Sequence, residues 1–190
     1  NPVKLKKCSH VFCKVCIDTK LQHKPVCPTC NTIYGVITGN QPAGKMSECV
    51  KKRGYLPGYE ECGIIEITYH FPDGFQGAEH PKPGRRFQGS TKTAYLPNSD
   101  KGQKVLKLLH LAFDQRLIFT IGQSRILGQD DTVTWNDILH KTRTYGGPQR
   151  YGYPDPTYLD RVLQELAAKG VTEESLSKNR GTASFYERVV

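Results

Sequence analysis

The chain has 190 residues, of which 37% are hydrophobic and 24% charged, and a formal net charge of +9. These proportions fit a soluble globular protein, and no apolar run approaches the roughly twenty residues that a membrane-spanning helix needs. A basic face attracts phosphate-bearing or acidic partners, but such an excess is usually simply a solvated surface.

Cysteine and histidine dominate the first stretch. Cys8, His10, Cys13, Cys16, Cys27 and Cys30 put six soft ligands within 23 residues. Zinc takes four thiolate or imidazole ligands in a tetrahedron, and a Cys-x-x-Cys turn supplies two of them. Six ligands exceed one site and fall short of two. Interleaved as in a RING finger, Cys8, His10, Cys27 and Cys30 complete one site. Cys13 and Cys16 are then half of another, whose remaining pair would lie before Asn1. The chain opens on Asn, so it is expected to begin inside a longer protein. A helix over 15–22 fits between the ligand pairs. A module of this size cannot rest on apolar burial alone, and metal binding would supply its folding energy. Reduced thiols at this density point to the cytosol or nucleus. Cys49 and Cys62 read as incidental thiols.

Residues 35–63 are rich in turn formers and read as a passage between domains. Ile64–Phe71 is β-branched and aromatic, a strand ended by Pro72-Asp73-Gly74. A long loop over 77–89 and a second strand over 92–96 follow. Ser99 or Asp100 can cap a helix over 102–115, in which Val105, Leu108, Leu109, Ala112 and Phe113 form one apolar stripe. Strands over 117–122 and 132–135 flank a polar loop, and a short helix is expected over 136–141. The loop 145–153 is rich in Gly and Tyr. Asp155 and Pro156 then start a helix with Leu159, Val162, Leu163 and Leu166 on its buried stripe, closed by Gly170. One more helical turn starts near Thr172, and the last ten residues carry no pattern. The expected class is α+β: a zinc module over 1–35, then a domain over 36–190 with helices packed on an antiparallel sheet.

Several motifs go beyond pattern. G-N-Q-P-x-G, L-P-G-Y-E, G-A-E-H-P-x-P-G, T-A-Y-L-P, A-F-D-Q-R-L-I-F-T-I-G, W-N-D-I-x-H-K-T and G-Y-P-D-P-x-Y-L stand behind the zinc spacing. Together they resemble the Deltex family of RING ubiquitin ligases from Cys8 to about Gly170, most of all the Deltex-3 and Deltex-3-like branch. The resemblance implies an E3 whose RING recruits a ubiquitin-charged E2. It implies a C-terminal domain that binds ADP-ribose or NAD and presents it, or ADP-ribosylated proteins, for ubiquitin transfer to a ribose hydroxyl. Mapped onto this chain, ligand contacts fall on Gly122, Ser124, Arg125, Trp135, Leu139, His140, Tyr151 and Tyr153, with Glu165 and Tyr151 as the catalytic pair.

There are departures from the family pattern. Members commonly carry two adjacent histidines where this chain has Leu139-His140, and some carry His where it has Tyr151. Without the resemblance, Trp135 and Tyr153 read as core residues, His140 as a structural histidine and Glu165 as a solvated carboxylate. Two other functions compete: a non-catalytic ADP-ribose reader, and a single-stranded nucleic-acid binder that uses the basic charge and stacking tyrosines. RING segments also self-associate, so a homodimer is a further expectation.

Overall fold

The computed structural model describes residues 1–123, 128–177 and 186–188, and these fall into two compact units. One joins Asn1–Ile37 to the segment that starts at Glu173, and the other is Thr38–Thr172.

The first unit is built on Pro2–Leu5 (β1), whose Val3 and Leu5 alternate inward. β1 pairs antiparallel with Val11–Cys13 (β2) on one side and with Tyr186–Arg188 on the other. Helix α1 (Lys14–His23) contributes Ile17 and Leu21, one turn apart and therefore on one face. With Cys27 and Tyr34 these residues make a small core, against which Cys8 and Phe12 pack. The expected boundary left 186–188 in the second domain, within a patternless tail. The strand pairing groups them with the first unit instead. A three-residue strand whose pairing partners lie at the other end of the chain leaves no local periodicity to read.

The second unit is organised by Ile64–Phe71 (β4). Ile65, Ile67, Tyr69 and Phe71 are buried, while His70 between the last two is exposed. This alternation is that of a strand with one face on a core. Fully burying each such side chain contributes about 1.5–3 kcal/mol. β4 lies between Lys45–Lys51 (β3) and Ser90–Pro97 (β7) in an antiparallel sheet of order β3-β4-β7. The strand β3 overturns the reading of 35–63 as a passage. It is an edge strand, almost wholly exposed, and its Lys, Ser, Glu and Cys side chains carry no apolar alternation. Two small ribbons complete the strands. Gly74–Phe75 (β5) pairs with Arg86–Phe87 (β6), and Phe119–Gly122 (β8) pairs with Thr132–Trp135 (β9).

Helix α2 (Asp100–Asp114) is capped by Ser99, whose side chain accepts the Gly102 N–H at 3.2 Å. That settles the choice between Ser99 and Asp100. Its stripe of Val105, Leu108, Leu109 and Ala112 is buried, and α2 packs on β7 and on helix α3 (Tyr158–Ala168). The G-N-Q-P-x-G segment is stitched to the corner after α2. Gln41 takes the Phe119 N–H on its side-chain oxygen at 3.2 Å and donates to the Phe113 carbonyl at 3.3 Å. Gly39 is required there, because a Cβ would lie 2.0 Å from the Arg116 carbonyl oxygen.

Residues 136–141 are not helical. Ile138, His140 and Lys141 are all buried, and the Lys141 carbonyl accepts the Tyr95 N–H of β7 at 2.8 Å. His140 and Lys141, adjacent in the chain, both turn inward to buried partners, and the segment is held to the sheet by that backbone bond. The helix after Pro156 also starts later than expected, with Thr157 at its N-cap position, because Asp155 is occupied elsewhere.

Candidate zinc centre and candidate ligand site

Two tight turns bring the four ligands of the first unit together. Ser9, between Cys8 and His10, adopts a left-handed conformation (φ 58°) and donates its N–H to Leu5 O at 2.8 Å. Asn31, also left-handed, closes the turn that starts at Cys27 by donating to Cys27 O at 2.9 Å. One ligand atom from each of Cys8, His10, Cys27 and Cys30 lies within 4.8 Å of all the others, and Cys27 Sγ is 3.7 Å from His10 Nδ1. Thiolates about 2.3 Å from a tetrahedral zinc stand roughly 3.8 Å apart, so this donor set fits zinc in size and chemistry.

The surroundings orient the ligands. Tyr34 Oη accepts the N–H groups of Lys7 and Cys8 at 2.9 Å and donates to Cys8 Sγ at 3.2 Å. Burial, and then the Cys8 sulfur, push the Tyr34 hydroxyl up to about 12, so it remains a donor. Thr32 Oγ1 lies 3.0 Å from Cys30 Sγ. Such outer contacts hold ligand side chains in the geometry the metal needs. Cys13 and Cys16 are both exposed, at the end of β2 and in the first turn of α1, and no third ligand joins them among the described residues.

The other described residues of the predicted site are spread over several segments of the second unit. Glu165 is on α3, and its Oε2 accepts the Leu139 N–H at 2.6 Å. Tyr158, about two turns earlier on the same helix, donates its hydroxyl to the Leu139 carbonyl at 3.2 Å. Leu139 is thus held at both backbone groups by α3. Its neighbour His140 is buried, with Nδ1 donating to Ile138 O at 2.9 Å and Nε2 accepting from the Tyr69 hydroxyl at 2.9 Å. Burial lowers the His140 pKa to about 4, so the ring is neutral near pH 7. Trp135, half-buried, stacks between His140 (4.4 Å) and Phe119 (4.5 Å). Gly122 ends β8 opposite Thr132. Ser124 and Arg125 lie outside the described residues.

The Gly- and Tyr-rich loop closes on itself around a 3-10 turn, Pro148–Arg150. Gly152 donates to Gly147 O at 2.9 Å, and a Cβ on it would lie 1.9 Å from Tyr145 O. This folding leaves Tyr151 left-handed (φ 55°) and 59% exposed, while Tyr153 is fully buried. Tyr153 donates its hydroxyl to Tyr95 O at 2.9 Å and sits edge-on to Tyr59 and Tyr158. It packs as a core residue. Both ring nitrogens of His140 are likewise paired inside the fold.

Residues that sequence reading missed hold this arrangement in place. Asp155, taken as a helix cap, is buried and accepts from Lys141 Nζ at 2.5 Å and Arg161 Nη2 at 2.7 Å. Lys141 is itself buried, with Nζ 5.2 Å from the Tyr158 ring centre. The pair of cations, Arg161 first, drives the Asp155 carboxyl well below the usual carboxylate range. The lysine of H-K-T and the aspartate of Y-P-D-P are 14 residues apart, and nothing in their spacing announces a buried ion pair.

Residues 38–171 match the Deltex C-terminal domain family, about seven-tenths of the chain. The chain belongs to the Deltex family. Residues 1–30 match the C3HC4-type RING zinc finger. The chain is 54% identical over 175 residues to the probable E3 ubiquitin-protein ligase DTX3 of Homo sapiens, covering 92% of this chain and 50% of that protein. It is 47% identical over 188 residues to E3 ubiquitin-protein ligase DTX4 of Mus musculus, covering 93% of this chain and 30% of that protein. It is 48% identical over 182 residues to E3 ubiquitin-protein ligase DTX1 of Xenopus laevis, covering 90% and 28%. The chain therefore spans half the length of the first of these Deltex relatives and less than a third of the other two.

Proposed function

We propose that this chain is the ubiquitin-transferring part of a RING E3 ligase, with the first unit recruiting a ubiquitin-charged E2. The observation that carries this reading is the Cys8, His10, Cys27 and Cys30 tetrad, within a segment matching a RING finger, beside a domain whose relatives bear the name of E3 ubiquitin-protein ligases. The thiol-rich zinc site, with Cys49 and Cys62 unbridged, suits the reducing cytosol or nucleus. No helix of the described residues is long and apolar enough to cross a membrane.

The finer part of the proposal is that the second unit binds ADP-ribose or NAD, free or on ADP-ribosylated proteins, and offers a ribose hydroxyl as acceptor. Ubiquitin arrives as a thioester, already activated, so the ligase needs no nucleophile of its own. The hydroxyl oxygen attacks the thioester carbonyl carbon, the C–S bond breaks, and the E2 thiolate leaves. The hydroxyl proton needs a base within hydrogen-bond reach. Glu165 supports this role, because Leu139 N–H holds one carboxylate oxygen and leaves the other to accept. The exposure of Tyr151 on its closed loop supports a role in packing against a sugar.

The test is discharge of a charged E2 onto ADP-ribose, compared with discharge onto lysine. Glu165→Gln keeps an oxygen for the Leu139 N–H but is no base. It should abolish transfer to ADP-ribose and leave transfer to lysine intact. Equal loss of both would make Glu165 a structural residue.

A further inference from the structure

A concave surface of the Thr38–Thr172 unit lies apart from the residues discussed under the proposed function. It is a cleft of about 640 Å³ between the G-N-Q-P-x-G segment, the β5–β6 ribbon and the end of α2. Pro42, Pro72 and Phe113 give it an apolar lining, and Phe75 stands at it 74% exposed. That size is within the range of ligand sites, roughly 300–1,000 Å³.

Its electrostatics run against the rest of the chain. The formal net charge is +9, yet Asp73, Glu79 and Asp114 line the cleft against the single guanidinium of Arg116. Asp73 is paired with Arg86 at 3.2 Å and Glu79 with Arg116 at 2.8 Å. The Asp114 carboxylate has no ion pair or hydrogen bond among the described residues. It is the last residue of α2, where the negative end of the helix dipole already disfavours a carboxylate. Uncompensated negative charge there attracts a cation.

An independent observation points to a ligand. The His80 side chain, which also lines the cleft, is only 6% exposed. Its Nδ1 accepts the Gly77 N–H at 2.7 Å, so in the neutral ring the proton sits on Nε2. Nε2 is buried and has no hydrogen-bond partner. A buried donor without an acceptor is costly, and such groups are few in folded proteins. Glu79 Oε1 is 3.9 Å away, too far to accept, and already accepts from Arg116 Nη2 at 2.8 Å.

We propose that this cleft docks an extended, basic polypeptide segment. A Lys or Arg side chain of the segment pairs with Asp114 and draws Glu79 aside. A backbone carbonyl then takes the His80 Nε2 proton, and an apolar neighbour packs on Phe75. An extended chain suits these demands, since it presents side chains and carbonyls in alternation along one line.

The experiment uses the whole chain and a fluorescein-labelled octapeptide of alternating arginine and leucine, with a glutamate–leucine octapeptide as comparison. Anisotropy should saturate with the arginine peptide, and the His80 Nε2–H proton resonance should move on addition. Both D114K and F75S change exposed side chains, so the double variant should melt like the parent and bind at least about tenfold more weakly. Unsaturable binding, equal affinity for the glutamate peptide, an unmoved His80 resonance or unchanged affinity of the double variant would each overturn the proposal.

Discussion

The Glu165 carboxylate and the Leu139 backbone N–H meet at 2.6 Å, across 26 residues of chain. This bond gives Glu165 a structural duty beside any chemical one. Glu165→Ala leaves a half-buried N–H without its acceptor and should cost about 1–3 kcal/mol of stability. Glu165→Gln, which retains an oxygen there, should cost less than half as much. Urea unfolding of both variants checks this, and similar losses would show that the bond carries little energy.

Leu139 also bears on the acceptor reaction, if the second unit binds ADP-ribose. Its side chain offers no hydrogen bond, whereas a histidine at that point could orient a ribose. Leu139→His should raise discharge onto ADP-ribose, and one added hydrogen bond of about 1 kcal/mol corresponds to roughly fivefold. Discharge onto lysine, measured in parallel, should not change.

The zinc tetrad sets a stoichiometry. Purified chain should carry close to one zinc by atomic absorption, and Cys27→Ser, which removes a fully buried ligand, should lose it. A strong chelator should unfold the first unit, because metal binding supplies much of the folding energy of so small a core. Two zincs would mean that Cys13 and Cys16 complete another site.

Acid should destabilise the second unit in two stages. The folded pKa of His140 is lowered to about 4, while an unfolded histidine titrates near 6.5. Only the unfolded chain takes up that proton between these values, so stability is full above about pH 6.5 and falls as pH drops to about 4. The loss across the window is about 3 kcal/mol. The carboxyl of Asp155 is depressed in the folded state, so its contribution is present above about pH 4 and lost on further acidification. Stability against pH for His140→Gln should be flatter between about pH 4 and 6.5 than for the parent.

Breaking the buried pair at neutral pH should be severe. Asp155→Asn leaves Lys141, with a side chain 2% exposed, charged and unpaired. The expected loss is about 3–5 kcal/mol. Thermal unfolding measures it, and a loss below about 1 kcal/mol would show that water reaches Lys141.

What the sequence determined by itself were features written in local pattern. The apolar stripes of α2 and α3, the alternation of β4 and the spacing of the zinc ligands each repeat within a few residues, at the period of the element that carries them. The family motifs likewise named the second domain. Tertiary structure decided what depends on distant partners. The edge strand β3 exists because β4 offers it hydrogen bonds, although its own side chains stay in water. Tyr186–Arg188 is a strand because β1 is beside it. The segment 136–141 is not helical, and its His140 and Lys141 each meet a buried partner far along the chain or across a loop. The same holds for the candidate site. That Glu165 is held by a backbone N–H, that Tyr153 is core while Tyr151 is exposed, and that His80 has a buried donor to spare are facts of packing. Packing joins residues far apart in the chain, and periodicity along the chain does not record it.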